Sequence, residues 1–260
     1  MLKNRVAMIT GGGVGIGRGI ATAFAEQGVR VGICGRRSEP LDETVRVLKA
    51  LGTGALGIQA DVTNRDELER VVEAMVGEWG QIDILVNNAG MSGRTPMDEA
   101  DDRRWMSIIQ TNLTGAYLST KTVLPFMKDR RYGRIINLSS VLGRFGVPGY
   151  AAYCTAKHGI IGLTKAVALE VADRGITVNA VCPTWVETAM ARQGMEETAQ
   201  ALGLSVEDFR KQAIASLPIK RMADVDEIAS TVLFLCSPMA AAITGQAINV
   251  CGGSTAGTGG

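Results

Sequence analysis

The sequence predicts an α/β chain built on a doubly wound, parallel, seven-stranded sheet, and three observations predict it. Short runs rich in Val and Ile alternate with longer segments of helical period, the sequence form of repeated βαβ units. Most of the short runs are continuously apolar, as strands buried on both faces require. A turn of glycines, Thr10-Gly11-Gly12-Gly13-Val14-Gly15-Ile16-Gly17, stands between the first run and the first helical segment.

In chain order the strand candidates are 6–10, 31–34, 55–60, 82–87, 134–138, 177–182 and 247–250. Between them, segments 15–27, 39–51, 65–79, 103–128, 150–173 and 224–236 carry apolar residues at three- and four-residue spacing and read as crossover helices. Right-handed crossovers wind such a sheet outward in two directions, and its ligand crevice lies at the carboxyl ends of the strands where the winding reverses. Segment 183–218 breaks the rhythm by mixing Trp185, Met190, Met195, Leu202, Leu204, Phe209 and Leu217 with polar residues. It reads as a substrate lid, with a helical pair packed permanently on the body as the competing reading. The Gly/Ser/Thr tail at 254–260 reads as mobile.

Composition narrows the function. With 46% hydrophobic and 20% charged residues among 260, the chain buries a full core and reads as one domain, 1–260. A net charge of +1 leaves no broad electrostatic footprint for a phosphate backbone, so nucleic acid is not expected as a partner. The five cysteines, Cys34, Cys154, Cys182, Cys236 and Cys251, are widely spaced, and His158 is the single histidine, which argues against a metal site and a disulfide framework. No signal-peptide core opens the chain, and the apolar stretch 232–243 is broken by Ser237 and Pro238, so a cytoplasmic protein that crosses no membrane is expected.

Glycines after a first strand let the backbone approach a pyrophosphate while the following helix offers unpaired N–H donors. The spacing here is Gly-x-x-x-Gly-x-Gly, and no frame fits G-x-G-x-x-G. At the end of the second strand, where a carboxylate would accept from the ribose of NAD, the chain reads Cys34-Gly35-Arg36-Arg37. An arginine there suits the extra 2′-phosphate of NADP, so NADP(H) is expected in preference to NAD(H). Tyr153 and Lys157, four residues apart in a helical segment, share one face, with Ser140 thirteen residues before the tyrosine at a strand end. An ammonium beside a phenol stabilises the phenolate and draws its pKa toward the working range.

Together, Thr10 to Gly17, Asp61-Val62, Asn87-Asn88-Ala89-Gly90, Asn112, Ser139-Ser140, Tyr153 to Lys157 and Pro183 to Thr188 resemble the short-chain dehydrogenase/reductase family over essentially the whole chain. The resemblance implies a Rossmann-type fold and a homotetramer. It also implies catalytic roles for Asn112, Ser140, Tyr153 and Lys157, Asn112 anchoring a water in a proton relay. Cofactor contacts are implied for Gly11, Gly15, Ile16, Arg36, Asp61, Val62, Asn88, Gly90, Tyr153, Lys157, Val186 and Thr188. Pro183-Thr184 stands where the family commonly has Pro-Gly. Segments 174–183 and 247–253 are most similar to ketoreductases of β-ketoacyl and polyketide chains, and Arg131 and Arg174 match docking arginines for an acyl carrier protein.

The function expected is therefore an NADPH-dependent carbonyl reductase acting on a ketone or secondary alcohol, free or carrier-bound. The alternatives are an NAD-dependent dehydrogenase of a secondary or cyclic alcohol and an inactive nucleotide-sensing or scaffold protein. Met91, Val141, Leu142, Phe145, Val147, Trp185 and Met190 are apolar candidates for the substrate side. Arg94 and Arg144 are candidates for an anionic group on the substrate.

Overall fold

The structure, a computed structural model, describes residues 2–98 and 101–257. The apolar runs form β1 (Val6–Thr10), β2 (Arg30–Gly35), β3 (Ala55–Gln59), β4 (Ile84–Asn87), β5 (Gly133–Leu138), β6 (Ile176–Pro183) and β7 (Ala247–Val250). All pair in parallel in the order β3-β2-β1-β4-β5-β6-β7. The winding thus reverses between β1 and β4, which places a crevice at the carboxyl ends of these two strands.

The crossover helices are α1 (Gly15–Glu26), α2 (Ser38–Ala50), α3 (Arg65–Trp79), α4 (Arg103–Ile109), α5 (Gly115–Arg130), α6 (Ala151–Val171), α7 (Ala189–Leu202), α8 (Val206–Ser216) and α9 (Val225–Cys236). Successive strand residues point to opposite faces, which divides the interior into two layers. Ala7, Ile9, Val31, Ile33, Val86 and Ile136 pack with Phe24 of α1, Leu48 of α2 and Ile228 of α9. Val6, Met8, Leu85, Ile135 and Val178 pack with Val71 of α3, Met127 of α5 and Val171 of α6. Local signals set helix ends. The Asn64 side chain accepts from the amides of Asp66 and Glu67 at the start of α3, and Gly80, at φ 72°, ends that helix. Asp224 and Glu227 form a reciprocal capping box on α9.

Two segments depart from the sequence reading. The helix expected over 103–128 is interrupted by a π-helical turn, Gln110–Thr114, between α4 and α5. One extra residue in such a turn barely disturbs the apolar period, so sequence spacing does not reveal it. In the tail, Ser254 to Gly257 fold as turns, with Asn249 Nδ2 donating to Thr255 at 2.9 Å, while 258–260 lie outside the described residues. Segment 183–218 supplies α7 and α8, whose Ala191, Met195 and Ala213 cluster with Trp185, Phe209 and Met222 apart from the two sheet layers. No helix among the described residues is long and apolar enough to cross a membrane.

Candidate active site

The glycine turn leaves β1 so tightly that side chains would block it. Gly11 has φ +65°, and a Cβ there would lie 2.9 Å from Ala89 Cα; a Cβ on Gly12 would meet Ile33. Gly11 N–H donates to the Cys34 carbonyl at 2.7 Å, and Asn88 Nδ2 donates to the Thr10 and Gly11 carbonyls at 3.0 Å each. The Asn88 side chain therefore secures the turn, while Ala89 and Gly90 line the cleft beyond it. No side chain caps the first turn of α1, so its leading amides have no such partner.

That cleft has a volume of about 420 Å³ and is lined by Gly11, Gly13, Gly35, Arg36, Arg37, Asp61, Val62 and Gly90 among others. A bare backbone floor, uncapped amides and two arginines at one end fit a phosphorylated dinucleotide. Asp61 is pre-oriented, its Oδ1 accepting from the amide and hydroxyl of Thr63 at 2.9 and 2.8 Å. Gly15, at φ +54°, faces Thr188: a Cβ there would sit 3.4 Å from Thr188 Cγ2. Thr188 caps α7 by accepting from the Ala191 amide, and its hydroxyl donates to the Val186 carbonyl at 3.2 Å.

Ile16, Val186 and Thr188 border a second cleft of about 500 Å³ that also holds Ser140 and Tyr153. Ser140 follows β5, its Oγ accepting from the Leu142 amide at 3.1 Å and donating to the Pro183 carbonyl at 3.5 Å, and it shares the second cleft with Tyr153 of α6. Lys157, one turn further along α6, is 5% exposed; its Nζ donates to the Leu138 carbonyl at 2.7 Å and lies 5.4 Å from the Tyr153 ring centre. Burial pushes the Lys157 pKa down to about 8. It pushes the Tyr153 hydroxyl up to about 12, with the neighbouring Ser140 hydroxyl opposing. The lowered tyrosine pKa expected from an adjacent ammonium is thus not what the structure has: desolvation of the phenolate outweighs a charge that is directed at Leu138.

Asn112 lies within the π-helical turn, where its Nδ2 donates to the carbonyls of Met91 at 2.8 Å and Ile108 at 2.9 Å. Both donor directions are spent, and the buried Oδ1, which has no partner, faces Gly90. An acceptor orphaned at the end of the dinucleotide cleft suits a water or ligand hydroxyl.

Of the apolar candidates, Val141, Leu142, Phe145, Val147, Trp185 and Met190 line the second cleft, but Met91 does not; it packs with Ile108 and Trp105 beneath the site. Arg144 donates to the Ala247 carbonyl, and the Arg94 guanidinium lies 5.9 Å from the Tyr150 ring centre, so neither lines the cleft. Arg131 and Arg174 precede β5 and β6, at the sheet edge opposite Ser140, and both engage Asp173.

Several residues escape sequence reasoning. The carbonyl that holds Lys157 belongs to Leu138, whose side chain carries no chemical signal. Ser139 donates to the Lys157 carbonyl at 2.9 Å, and Tyr150, just before α6, and Gln212 and Ser216, both on α8, reach the second cleft. Ser254, from the tail read as mobile, lines it as well.

Comparison with known proteins agrees with this geometry. Residues 12–255 match a family model described as enoyl-(acyl carrier protein) reductase. The chain is 40% identical over 251 residues to the 3-oxoacyl-[acyl-carrier-protein] reductase FabG of Staphylococcus epidermidis, covering 96% of this chain and 98% of that one. A point variant of actinorhodin polyketide ketoreductase, crystallised with NADPH, superposes with a TM-score of 0.93 at 43% identity over 96% of this chain and 97% of its own. An NAD⁺-bound xylitol dehydrogenase also superposes with a TM-score of 0.93, at 31% identity over 97% of this chain and 99% of its own.

Proposed function

The chain belongs to the short-chain dehydrogenase/reductase family, and on that premise we propose that it is an NADPH-dependent ketone reductase of the ketoacyl or polyketide type. The observation that carries the reading is that Ser140 and Tyr153 share an apolar cleft that adjoins the glycine-lined one, with Lys157 buried one helical turn beyond the tyrosine.

Gly11, Gly13 and the leading amides of α1 hold the pyrophosphate, Arg36 the 2′-phosphate, and Asp61 and Val62 border the adenine. Gly90 and Asn112 line the path toward the ring end, which Ile16, Val186 and Thr188 receive. The bound dinucleotide supplies the hydride. Ser140 and Tyr153 donate hydrogen bonds to the ketone oxygen, and as negative charge develops there Tyr153 delivers its proton. Burial keeps the Tyr153 hydroxyl protonated at neutral pH, the form a proton donor to the ketone oxygen needs. Lys157, charged below about pH 8, favours the tyrosinate left behind and engages a ribose hydroxyl. The Asn112 Oδ1 anchors a water on the route by which the tyrosine regains its proton.

The preference for NADP(H) over NAD(H) rests on Arg36, Arg37 and the missing carboxylate at Gly35, and the NAD⁺-bound relative gives the dehydrogenase reading its support. The proposal extends to a cytoplasmic homotetramer, which light scattering of purified protein tests, and to a substrate free or tethered to a carrier. A panel of ketones and secondary alcohols with each cofactor, followed by absorbance of the reduced nicotinamide, tests the function. Turnover of ketones with NADPH is expected; turnover of alcohols with NAD⁺ alone makes the protein a dehydrogenase, and none at all supports the inactive nucleotide-sensing alternative.

A further inference from the structure

The α7–α8 pair has its own hydrophobic cluster, separate from the two layers of the sheet, and polar contacts tie α7 to the body of the molecule. One contact centres on Glu197. Its carboxylate accepts from the Arg104 guanidinium of α4 at 2.5 Å, from the Arg94 amide at 3.2 Å and from Gln193 of its own helix at 3.1 Å. The other contact is the Tyr150 hydroxyl, at 2.7 Å from Thr198 Oγ1 and 3.3 Å from the Gly194 carbonyl, to which Thr198 also donates at 2.7 Å. Tyr150 immediately precedes α6, three residues before Tyr153, and is 6% exposed. Tyr150, Gly194 and Thr198 all line the substrate cleft, whereas Glu197 does not.

We propose that Tyr150 is a specificity-determining residue, its contact with Thr198 and Gly194 setting the height of α7 above the cleft and so the size of ketone admitted. The ring remains part of the apolar wall whatever the hydroxyl does, so the hydroxyl's role is to fix distance. The Glu197 contact holds the far side of the same helix turn, and the two contacts together restrict α7 from tilting away from α6. A ketone too bulky for the present height must break the Tyr150 contact to enter, while a small one need not. This inference rests on the ketone reduction proposed above.

The test compares kcat/KM for a small linear ketone and a bulky ring-bearing ketone in wild type, Tyr150→Phe, Thr198→Val and Glu197→Gln. In Tyr150→Phe and Thr198→Val the bulky-to-small ratio is expected to rise about two- to tenfold, the factor one neutral hydrogen bond is worth. Glu197→Gln, outside the cleft, is expected to move the ratio in the same direction. An equal loss for both ketones, or a ratio unmoved in all three variants, overturns the proposal and leaves Tyr150 a support for α6. Amide hydrogen exchange over 189–202 reads the same contact without turnover: faster exchange in Tyr150→Phe is expected, and unchanged exchange overturns it. Should wild type reduce no ketone, the parent reading fails, and the exchange measurement still decides whether Tyr150 holds α7.

Discussion

Lys157 donates a 2.7 Å hydrogen bond to the carbonyl oxygen of Leu138, which anchors a buried ammonium at the carboxyl end of β5, 5.4 Å from the centre of the Tyr153 ring. One carbonyl compensates only part of the lost hydration, so the charged form is disfavoured and the pKa falls to about 8. The kcat/KM for the nicotinamide cofactor, which reports the free enzyme, is therefore expected to fall on the alkaline side with a pKa near 8. The loss occurs as pH rises because the protonated lysine is the form that donates to the ribose. In Lys157→Met this limb disappears along with most of the activity; a profile flat to pH 10 in wild type contradicts the role.

Tyr153→Phe removes only the hydroxyl. Ketone reduction is expected to fall by about 10²- to 10⁴-fold, the usual range for a general acid, with cofactor affinity little changed. Ser140→Ala removes a hydrogen bond to the ketone oxygen and lowers kcat as well. Retention of more than a tenth of wild-type turnover in the tyrosine variant points to another proton donor.

Arg36→Ala is expected to weaken NADPH about ten- to a hundredfold, since a lost charge-assisted hydrogen bond costs about 1.5–3 kcal/mol, while NADH binding is nearly unaffected. A carboxylate introduced by Gly35→Asp repels the 2′-phosphate and reverses the preference; the added Cβ has room, its nearest neighbour being Leu41 Cδ2 at 3.8 Å. Fluorescence titration with both cofactors measures this. Equal weakening of NADPH and NADH by Arg36→Ala removes the basis for NADP(H) preference.

Gly90→Ala places a methyl group 2.6 Å from the Asn112 Oδ1 that has no partner, at the end of the dinucleotide cleft. The Asn112 amide is tied to two carbonyls and has little freedom to retreat, so a loss of about 1–3 kcal/mol in stability is expected, together with weaker cofactor binding. Thermal unfolding with and without NADPH separates the two effects. Wild-type stability combined with wild-type affinity would falsify the account of a fixed Asn112.

If 183–218 acts as a lid, hydrogen exchange in α7 and α8 slows when cofactor and ketone bind together. Protection unchanged by ligands instead identifies a permanently packed helical pair.

Much of the site was legible because its signals are local. A glycine turn between strand and helix, and a tyrosine and lysine one helical turn apart, need no tertiary information to place them near the carboxyl edge of a parallel sheet. The π-helical turn at Gln110–Thr114 was not legible, since a single inserted residue leaves the apolar period of a long helix nearly intact. Met91, Arg94 and Arg144 are candidates for the substrate side that do not line the second cleft, because residue type says nothing about direction. Met91 packs against the Ile108 cluster with its sulfur accepting from the Thr111 hydroxyl, Arg94 lies against Tyr150 and Arg144 donates to the Ala247 carbonyl.

By itself the sequence determined the strand and helix order, the alternation that buries seven parallel strands, and the residue types gathered at the crevice. Those follow from hydrophobic period and backbone freedom, which act over a few residues at a time. Tertiary structure alone decided which groups are desolvated and what they touch. Burial, not the adjacent ammonium, governs Tyr153; a main-chain carbonyl fifteen residues before Tyr153 holds Lys157; and Tyr150 reaches Thr198 across forty-eight positions of chain. Desolvation and long-range contact depend on packing in three dimensions, and no window of sequence contains it.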